Sequence, residues 1–427
     1  MTFILSGKNM GGERKFFLLK DLIIQHNFVP LHAERKLRME RLWNKNYCKV
    51  MAANFSLFFA FYVLTPLLPL YLSEHFGATK DVIGLVLSGY TVTALVMRPF
   101  SGFLVDSFPR KMVLMVSFAA FSIFFAGYLA ASSLLLFTIV RTLHGGPFGA
   151  STVANSTVAI DVLPSSRRQE GIGFYGLSNN IATALAPSVG ILTWKYTGSF
   201  DVLFWMAFVA AGIGLAVNAT VKLPPRELVH DKRPLSFDRF FLLRGWMVGL
   251  NLLFFGTCYG VLSNYLAIYG KEVLGMTGGT GVFFFLLSSG LIVARLVGAR
   301  SLREGGLVRN AAIGVIVSSV GYLLFVAVPE EWSYYLSALL IGLGNGHFWP
   351  AFQNMMINMA AKNERGTANS TLLTSWDLGV GIGVLLGGVV TEYAGYQAAF
   401  WTVFCIQFSG MLFYLLFTRR LYRPLAA

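Results

Sequence analysis

Four charged residues sit well inside stretches that are otherwise too apolar to hold charge: Arg98, Arg141, Arg295 and Asp377. A charged side chain at mid-membrane depth costs about 3 kcal/mol or more unless it faces a partner or a water-filled cavity, so each is a candidate for function. Asp377 is the only acid among them. A carboxyl there can take up and release a proton, because hydrocarbon favours its neutral form and a nearby arginine its charged form. If its segment starts near Thr367, ten residues at ~1.5 Å each put Asp377 roughly 15 Å deep, and Arg98 lies roughly 10 Å from the end of its own segment. Such residues suit charge movement and proton exchange. Bond-making chemistry lacks its usual groups: the sequence has no HExxH, no GxSxG, no paired-acid metal motif and no P-loop signature. Neither an enzyme nor an ATP-driven pump is expected, and no cofactor or metal.

The elements that must position these residues follow from composition. The 427 residues are 55% apolar and only 13% charged, with a mean hydropathy of +0.62, which is too apolar for a fold whose main solvent is water. A helix needs about 20 mostly apolar residues to cross a bilayer, and twelve such stretches can be read. They are Val50 to Leu72, Val82 to Val105, Met112 to Ala131, Leu134 to Ile160, Gly171 to Trp194 and Phe200 to Val221, then Trp246 to Ile268, Val282 to Ala299, Ala311 to Val328, Tyr334 to Ala360, Thr367 to Tyr393 and Ala398 to Phe417. Runs this long exclude membrane strands, which alternate over about ten residues. An all-α polytopic membrane protein is expected. Its parts are a basic tail 1–48, a six-helix bundle 49–221, a linker 222–245, a second six-helix bundle 246–418 and a short tail 419–427. Translation starting at Met39 would shorten the first tail.

A net charge of +14 raises the question of nucleic acid, and the distribution of the 34 Lys and Arg answers it. Twenty-eight fall in the tails and in the loops after segments 2, 4, 6, 8 and 10, three in the opposite loops (Lys80, Lys195, Lys271) and three inside segments. This is the positive-inside pattern, so the basicity encodes topology, not a nucleic-acid surface. It predicts a multi-pass protein of the cell membrane (the inner membrane if Gram-negative) with both termini cytoplasmic. Cys48, Cys258 and Cys405 show no CxxC spacing and no pair in an outer loop, so no disulfide is expected.

The halves resemble each other. Arg98 and Arg295 are related by a shift of 197 residues, Phe204-Trp205 and Phe400-Trp401 by 196, and Gly171 and Gly366 by 195. Parallel six-helix repeats characterise one class of secondary transporter.

Three motifs carry a family resemblance. The loop after segment 2 reads Gly102-Phe-Leu-Val-Asp106-Ser-Phe-Pro-Arg110-Lys111; segment 4 contains Arg141-Thr-Leu-His144-Gly145, with Gly149 one turn on; segment 5 carries Gly173, Ala182, Ala186, Pro187 and Gly190. These are similar to the loop signature Gly-x-x-x-Asp-x-x-x-Arg-Lys, to Arg-x-x-Gln-Gly and to the antiporter motif of the major facilitator superfamily. The match departs from the family at His144, which stands for Gln, and at three glycines replaced by Ala182, Ala186 and Ile191. The resemblance spans about residues 50 to 420 and implies two six-helix pseudo-repeats that work by alternating access.

It also implies roles. Gly102, Asp106, Arg110, Lys111 and, at the inner end of helix 4, Asp161 are expected to latch the inner ends of the halves. Gly145, Gly149, Gly173, Ala182, Ala186, Pro187 and Gly190 are expected to pack helices closely, with a kinked contact between helices 5 and 8. Helices 2 and 11 face each other in this family, so Arg98 is expected to pair with Asp377, with Arg141 a further member of the proton-coupling set. Helices 1, 4, 7 and 10 line the cavity, which offers Asn54, His144, Asn155, Asn251, Tyr259, Asn345, His347, Trp349 and Gln353 to a solute; Asn345, Trp349 and Gln353 lie at i, i+4 and i+8 on one face. The expected partners are a small-molecule substrate, protons and the lipid bilayer, with no nucleic acid and a monomeric chain. The antiporter motif favours proton-coupled efflux. Proton-coupled import of a sugar or metabolite and a transporter-like receptor or sensor stay open.

Overall fold

Proline shapes the first element. The stretch expected as one helix from Val50 to Leu72 is two, Lys45–Tyr62 and Leu68–Phe76, with the chain turning through residues 63–67. Pro66 and Pro69 supply no amide hydrogen for a continuous helix there. Asn44 starts the first piece by accepting a hydrogen bond from the Tyr47 amide at 2.9 Å.

The two pieces form α1 of a computed structural model that describes residues 41–224, 237–276, 279–420 and 422. After it come α2 (Lys80–Ser107), α3 (Arg110–Ala130), α4 (Leu134–Val162), α5 (Arg168–Thr197) and α6 (Phe200–Ala219). The second half supplies α7 (Trp246–Glu272), α8 (Thr280–Arg303), α9 (Leu307–Ala327) and α10 (Glu331–Met359). The helical stretch Arg365–Phe413 is broken at Gly395, with φ of 82°, and this divides α11 (365–394) from α12 (396–413). Among the described residues these are twelve helices and no strand, an all-helical fold. The architecture described here is that of the unit Trp43–Ala427; of Met1–Leu42 only residues 41 and 42 are described. Residues 1–40 of the expected first tail, 225–236 of the expected linker and most of 419–427 lie outside the described residues.

Two kinds of surface follow from the sequence of each helix. Large apolar side chains stand exposed one turn apart, as with Val92 and Val96, Val209 and Ile213, Val293 and Val297, and Leu385 and Val389. Faces of this kind suit lipid and would be a liability in water. Buried faces carry small residues and polar groups. Seven helical stretches among the described residues, with α11 and α12 counted together as one, are long and apolar enough to cross a membrane by length and composition alone, and α1, α4, α5 and α10 are not among them. Those four turn asparagines, serines and threonines inward, toward neighbouring helices and the central cavity.

Glycine packing fixes the register of the duplication. A Cβ at Gly145 or Gly149 of α4 would strike the backbone of α2, at Tyr90 and Ala94; at Gly342 or Gly346 of α10 it would strike α8, at Leu287 and Leu291. These pairs are 197 residues apart. Buried Ala182, Ala186 and Gly190 on α5 answer at the same shift to Gly379, Gly383 and Gly387 on α11. Gly190 meets Val63 of α1, as Gly387 meets Val261 and Tyr265 of α7. The turn glycines Gly198 and Gly395, both of positive φ, are again 197 apart. One register therefore runs from α2 through α5, and the pair Gly171 and Gly366, at 195, falls outside it.

Candidate functional site

The two bundles meet along α2 and α11 on one side and α5 and α8 on the other. At the end of the molecule that carries the loop between α2 and α3, Asp106 closes the first seam. Its carboxylate accepts from the backbone amides of Gly366 and Thr367, at 2.9 and 2.7 Å, and from the Thr367 hydroxyl at 2.9 Å. These are the free amides of the first turn of α11, where a negative charge also meets the positive end of the helix dipole. Gly102, one turn earlier, lets the backbones meet: a Cβ there would lie 2.9 Å from the Gly366 carbonyl oxygen. Arg110 donates to Asp106 at 3.2 Å, to the Lys362 carbonyl at 3.2 Å and to Asp161. Asp161 in turn accepts from Arg365 at 3.0 Å. Asp106, Arg110 and Asp161 thus join one bundle to Gly366, Thr367 and Arg365 of the other. Lys111 does not. Its ammonium donates to the carbonyls of Asn218, Ala219 and Val221 and caps the C-terminus of α6 within its own bundle.

Nearer the middle of the membrane, the Arg98 guanidinium reaches across the same seam. It lies 2.7 Å from the Asp377 carboxylate and donates to the Leu373 carbonyl at 3.0 Å. On the second seam Asn354 of α10 donates to the Gln169 carbonyl at 3.1 Å, and between the seams Asn369 of α11 donates to Thr157 of α4 at 3.1 Å. Among the described residues, every hydrogen bond and ion pair found between the bundles lies between this end and the level of Arg98 and Asp377.

Around that level a central cavity of about 290 Å³ lies between the bundles. Asn54, Tyr259, Asn345, Trp349 and Gln353 line it. So do Tyr175, Asn179, Asn180, Thr183, Arg295 and Trp376, which reading helices 1, 4, 7 and 10 alone overlooks because α5, α8 and α11 also contribute wall. Polar positions of α5 were legible as such; what hid them was assigning that helix to packing only.

Four expected cavity residues lie elsewhere. The His144 ring is fully buried in an aromatic box of Tyr90, Phe121, Phe124, Phe125 and Tyr128, with Nδ1 2.7 Å from the Tyr128 hydroxyl. Asn155 donates to Tyr175 at 3.0 Å and to Asn54 at 3.2 Å, so it braces the wall from behind. Asn251 is tied to the Met247 carbonyl and to Thr418, at 2.8 and 2.7 Å. His347 faces Gly298 of α8 rather than the cavity. In each case a polar residue on a cavity-bearing helix is used to hold neighbouring helices together. Arg141 is also redirected: its guanidinium stacks 4.1 Å from the Tyr90 ring centroid and donates to the Tyr128 hydroxyl at 3.1 Å, inside the first bundle. It has no contact with Asp377.

The antiporter-like stripe divides its contacts. Gly173 faces Leu302 of α8 and Pro350 of α10, whereas Gly190 faces α1. Pro187 lies within the continuous helix α5, so the expected kinked contact with α8 is confined to the end near Gly173 and Gly176. Among the described residues no three His, Cys, Asp or Glu side chains gather in a way that could hold a metal ion.

A duplicated twelve-helix bundle, latched at one end and hollow at its centre, defines a membrane transporter of the major facilitator type. The chain belongs to the Major Facilitator Superfamily: the family model matches residues 50–309 and 306–426. Relatives agree in class. The staphylopine export protein of Staphylococcus aureus (strain Mu50 / ATCC 700699) is 22% identical, over 75% of this chain and 83% of its own. An uncharacterized MFS-type transporter of Pseudomonas aeruginosa (strain UCBPP-PA14) is 28% identical, over 84% of this chain and 89% of its own. The fold is similar to that of the human organic anion transporter MFSD10 (TETRAN), with a TM-score of 0.71 and 18% identity, over 86% of this chain and 98% of that one. It is also similar to FucP in the outward conformation, with a TM-score of 0.70 and 15% identity, over 88% of this chain and 99% of that one. The protein is a multi-pass membrane transporter and not an enzyme.

Proposed function

We propose that this transporter is a proton-coupled exporter, moving a small solute out of the cytoplasm in exchange for protons as a monomer in the cell membrane. The observation that carries the proposal is the Arg98–Asp377 pair, which spans the seam between bundles at the level of the cavity. An ion pair holds only while the carboxyl is charged. When Asp377 takes a proton, Arg98 loses its counter-ion and the seam loosens, so occupancy by a proton and the arrangement of the bundles are linked. The cation distribution supports a cytoplasmic position for the latched end. The state described is then closed toward the cytoplasm. Export is supported by the small-residue stripe of α5 and by the relative whose name states an export role.

The test starts from solute retention in cells with and without the gene, across a metabolite and drug library. It continues in inverted vesicles with the solutes that respond. Accumulation in inverted vesicles that collapses when the pH gradient is dissipated is the expected result; uptake into whole cells driven by the same gradient would replace export by import.

A further inference from the structure

We propose that Arg295 is an anion-binding residue of the central cavity, and that the solute carries a carboxylate on an aromatic or apolar body. This rests on the proton-coupled export reading and names the class of its substrate. The duplication supplies the argument. The shift of 197 residues that superposes the packing stripes takes Arg98 to Arg295 and Asp377 to Asn180. Arg98 has its acid at 2.7 Å. At the counterpart position on α5 the carboxylate is replaced by an amide, so Arg295 keeps its charge and loses its built-in counter-ion.

The surroundings match that reading. Arg295 is only 6% exposed, and among the described residues its Nε and Nη1 have no hydrogen-bond acceptor and its side chain no acidic partner. The Nδ2 of Asn180 likewise has none. Both residues line the cavity, so two unmatched donors sit on adjoining helices of one wall. Gly176 makes room for the guanidinium: a Cβ there would lie 1.9 Å from Nη1. No Asp or Glu lines the cavity, and Arg295 is its one charged residue among the described residues. A buried guanidinium without an anion is strongly unfavourable, and its planar fork fits a carboxylate through two parallel hydrogen bonds. Phe58, Tyr259, Trp349 and Trp376 give the rest of the wall to an aromatic or apolar body.

The experiment uses the full chain in lipid nanodiscs and follows tryptophan fluorescence, to which Trp349 and Trp376 contribute from the wall. The probes are matched pairs: 3-phenylpropionate, indole-3-acetate and naphthalene-2-carboxylate, each against its uncharged amide. At least one carboxylate is expected to bind saturably, with its amide at least tenfold weaker. Asn180→Asp places an acid on the cavity wall one turn from Gly176, which meets the Arg295 guanidinium, and is expected to weaken carboxylate binding at least tenfold while preserving the fold. Arg295→Gln is expected to do the same, and if it fails to fold, Asn180→Asp and the amide pairs still decide. The proposal is overturned if no carboxylate binds saturably, if acid and amide bind alike, or if Asn180→Asp leaves affinity unchanged. Equilibrium binding does not require flux. Selective carboxylate binding without pH-driven transport in inverted vesicles or proteoliposomes would remove the proton-coupled export reading and keep the anion site.

Discussion

Asp106 of α2 and Thr367 of α11 are joined twice, through the Thr367 amide at 2.7 Å and its hydroxyl at 2.9 Å, so the side chain of one bundle caps a helix of the other. The cap works only while the bundles touch at this end. Under the alternating-access reading proposed above, it would stabilise one arrangement of the transporter and be silent in the other.

Removing the cap should shift that balance. Hydrogen bonds to a charged acceptor contribute about 1.5–3 kcal/mol each, and about 1.4 kcal/mol is a tenfold change in population. Asp106→Ala is expected to lower the latched population by at least tenfold. Spin labels at the exposed positions Phe108 and Lys362 would read it as a shift to longer distances. A distribution like that of the parent protein would mean that Asp106 does not latch.

Asp377→Asn keeps the shape of the side chain and removes its charge and its titration. The variant is expected to fold, to exchange solute across proteoliposome membranes, and to lose accumulation driven by a pH gradient by at least tenfold. Retention of full gradient-driven accumulation excludes Asp377 as the coupling acid.

The α4 stripe makes a packing prediction with its own control. A Cβ at Gly145 would lie 2.0 Å from the Tyr90 carbonyl oxygen, whereas at the next residue, Gly146, the nearest atom is Met97 Cγ at 4.0 Å. Overpacking of this kind costs about 1–3 kcal/mol. Gly145→Ala should lower the melting temperature in detergent, and Gly342→Ala should do so on the same grounds, with Leu287 O 2.0 Å from its Cβ. Gly146→Ala should leave it unchanged. Equal melting temperatures for Gly145→Ala and Gly146→Ala would refute the close α2–α4 contact.

How much was legible depends on the kind of signal. Twelve helices and a duplicated fold followed from long apolar runs and repeated motifs, because the bilayer demands that every backbone polar group be satisfied within a segment. The positions of Arg98 and Asp377 could be set at similar depth by counting rise per residue. Direction around the helix axis was harder. His144, Asn155 and Asn251 are polar residues on cavity-bearing helices, yet each spends its hydrogen bonds on a neighbour such as Tyr128, Tyr175 or Thr418. Nothing in spacing along one helix separates that from facing a solute. Arg295 was visible as an expensive residue from the start; its meaning needed the 197-residue register, which small residues such as Ala182 and Gly379 reveal only once their contacts are known.

Topology is the remaining quantity that the charge distribution predicts, and two exposed positions test it. Glu304 follows α8 on the side that holds 28 of the 34 Lys and Arg, and Thr197 ends α5 on the side that holds three. Cationic loops are retained in the cytoplasm during insertion, so position 304 should be inside and position 197 outside. Cys48 and Cys405 are exposed and free, so the measurement starts from a variant lacking Cys48, Cys258 and Cys405. A membrane-impermeant maleimide applied to intact cells is expected to label Thr197→Cys and to leave Glu304→Cys at background until the membrane is permeabilised. The opposite pattern would invert the protein, place the Asp106 latch at the outer face and turn the state closed toward the cytoplasm into one open to it.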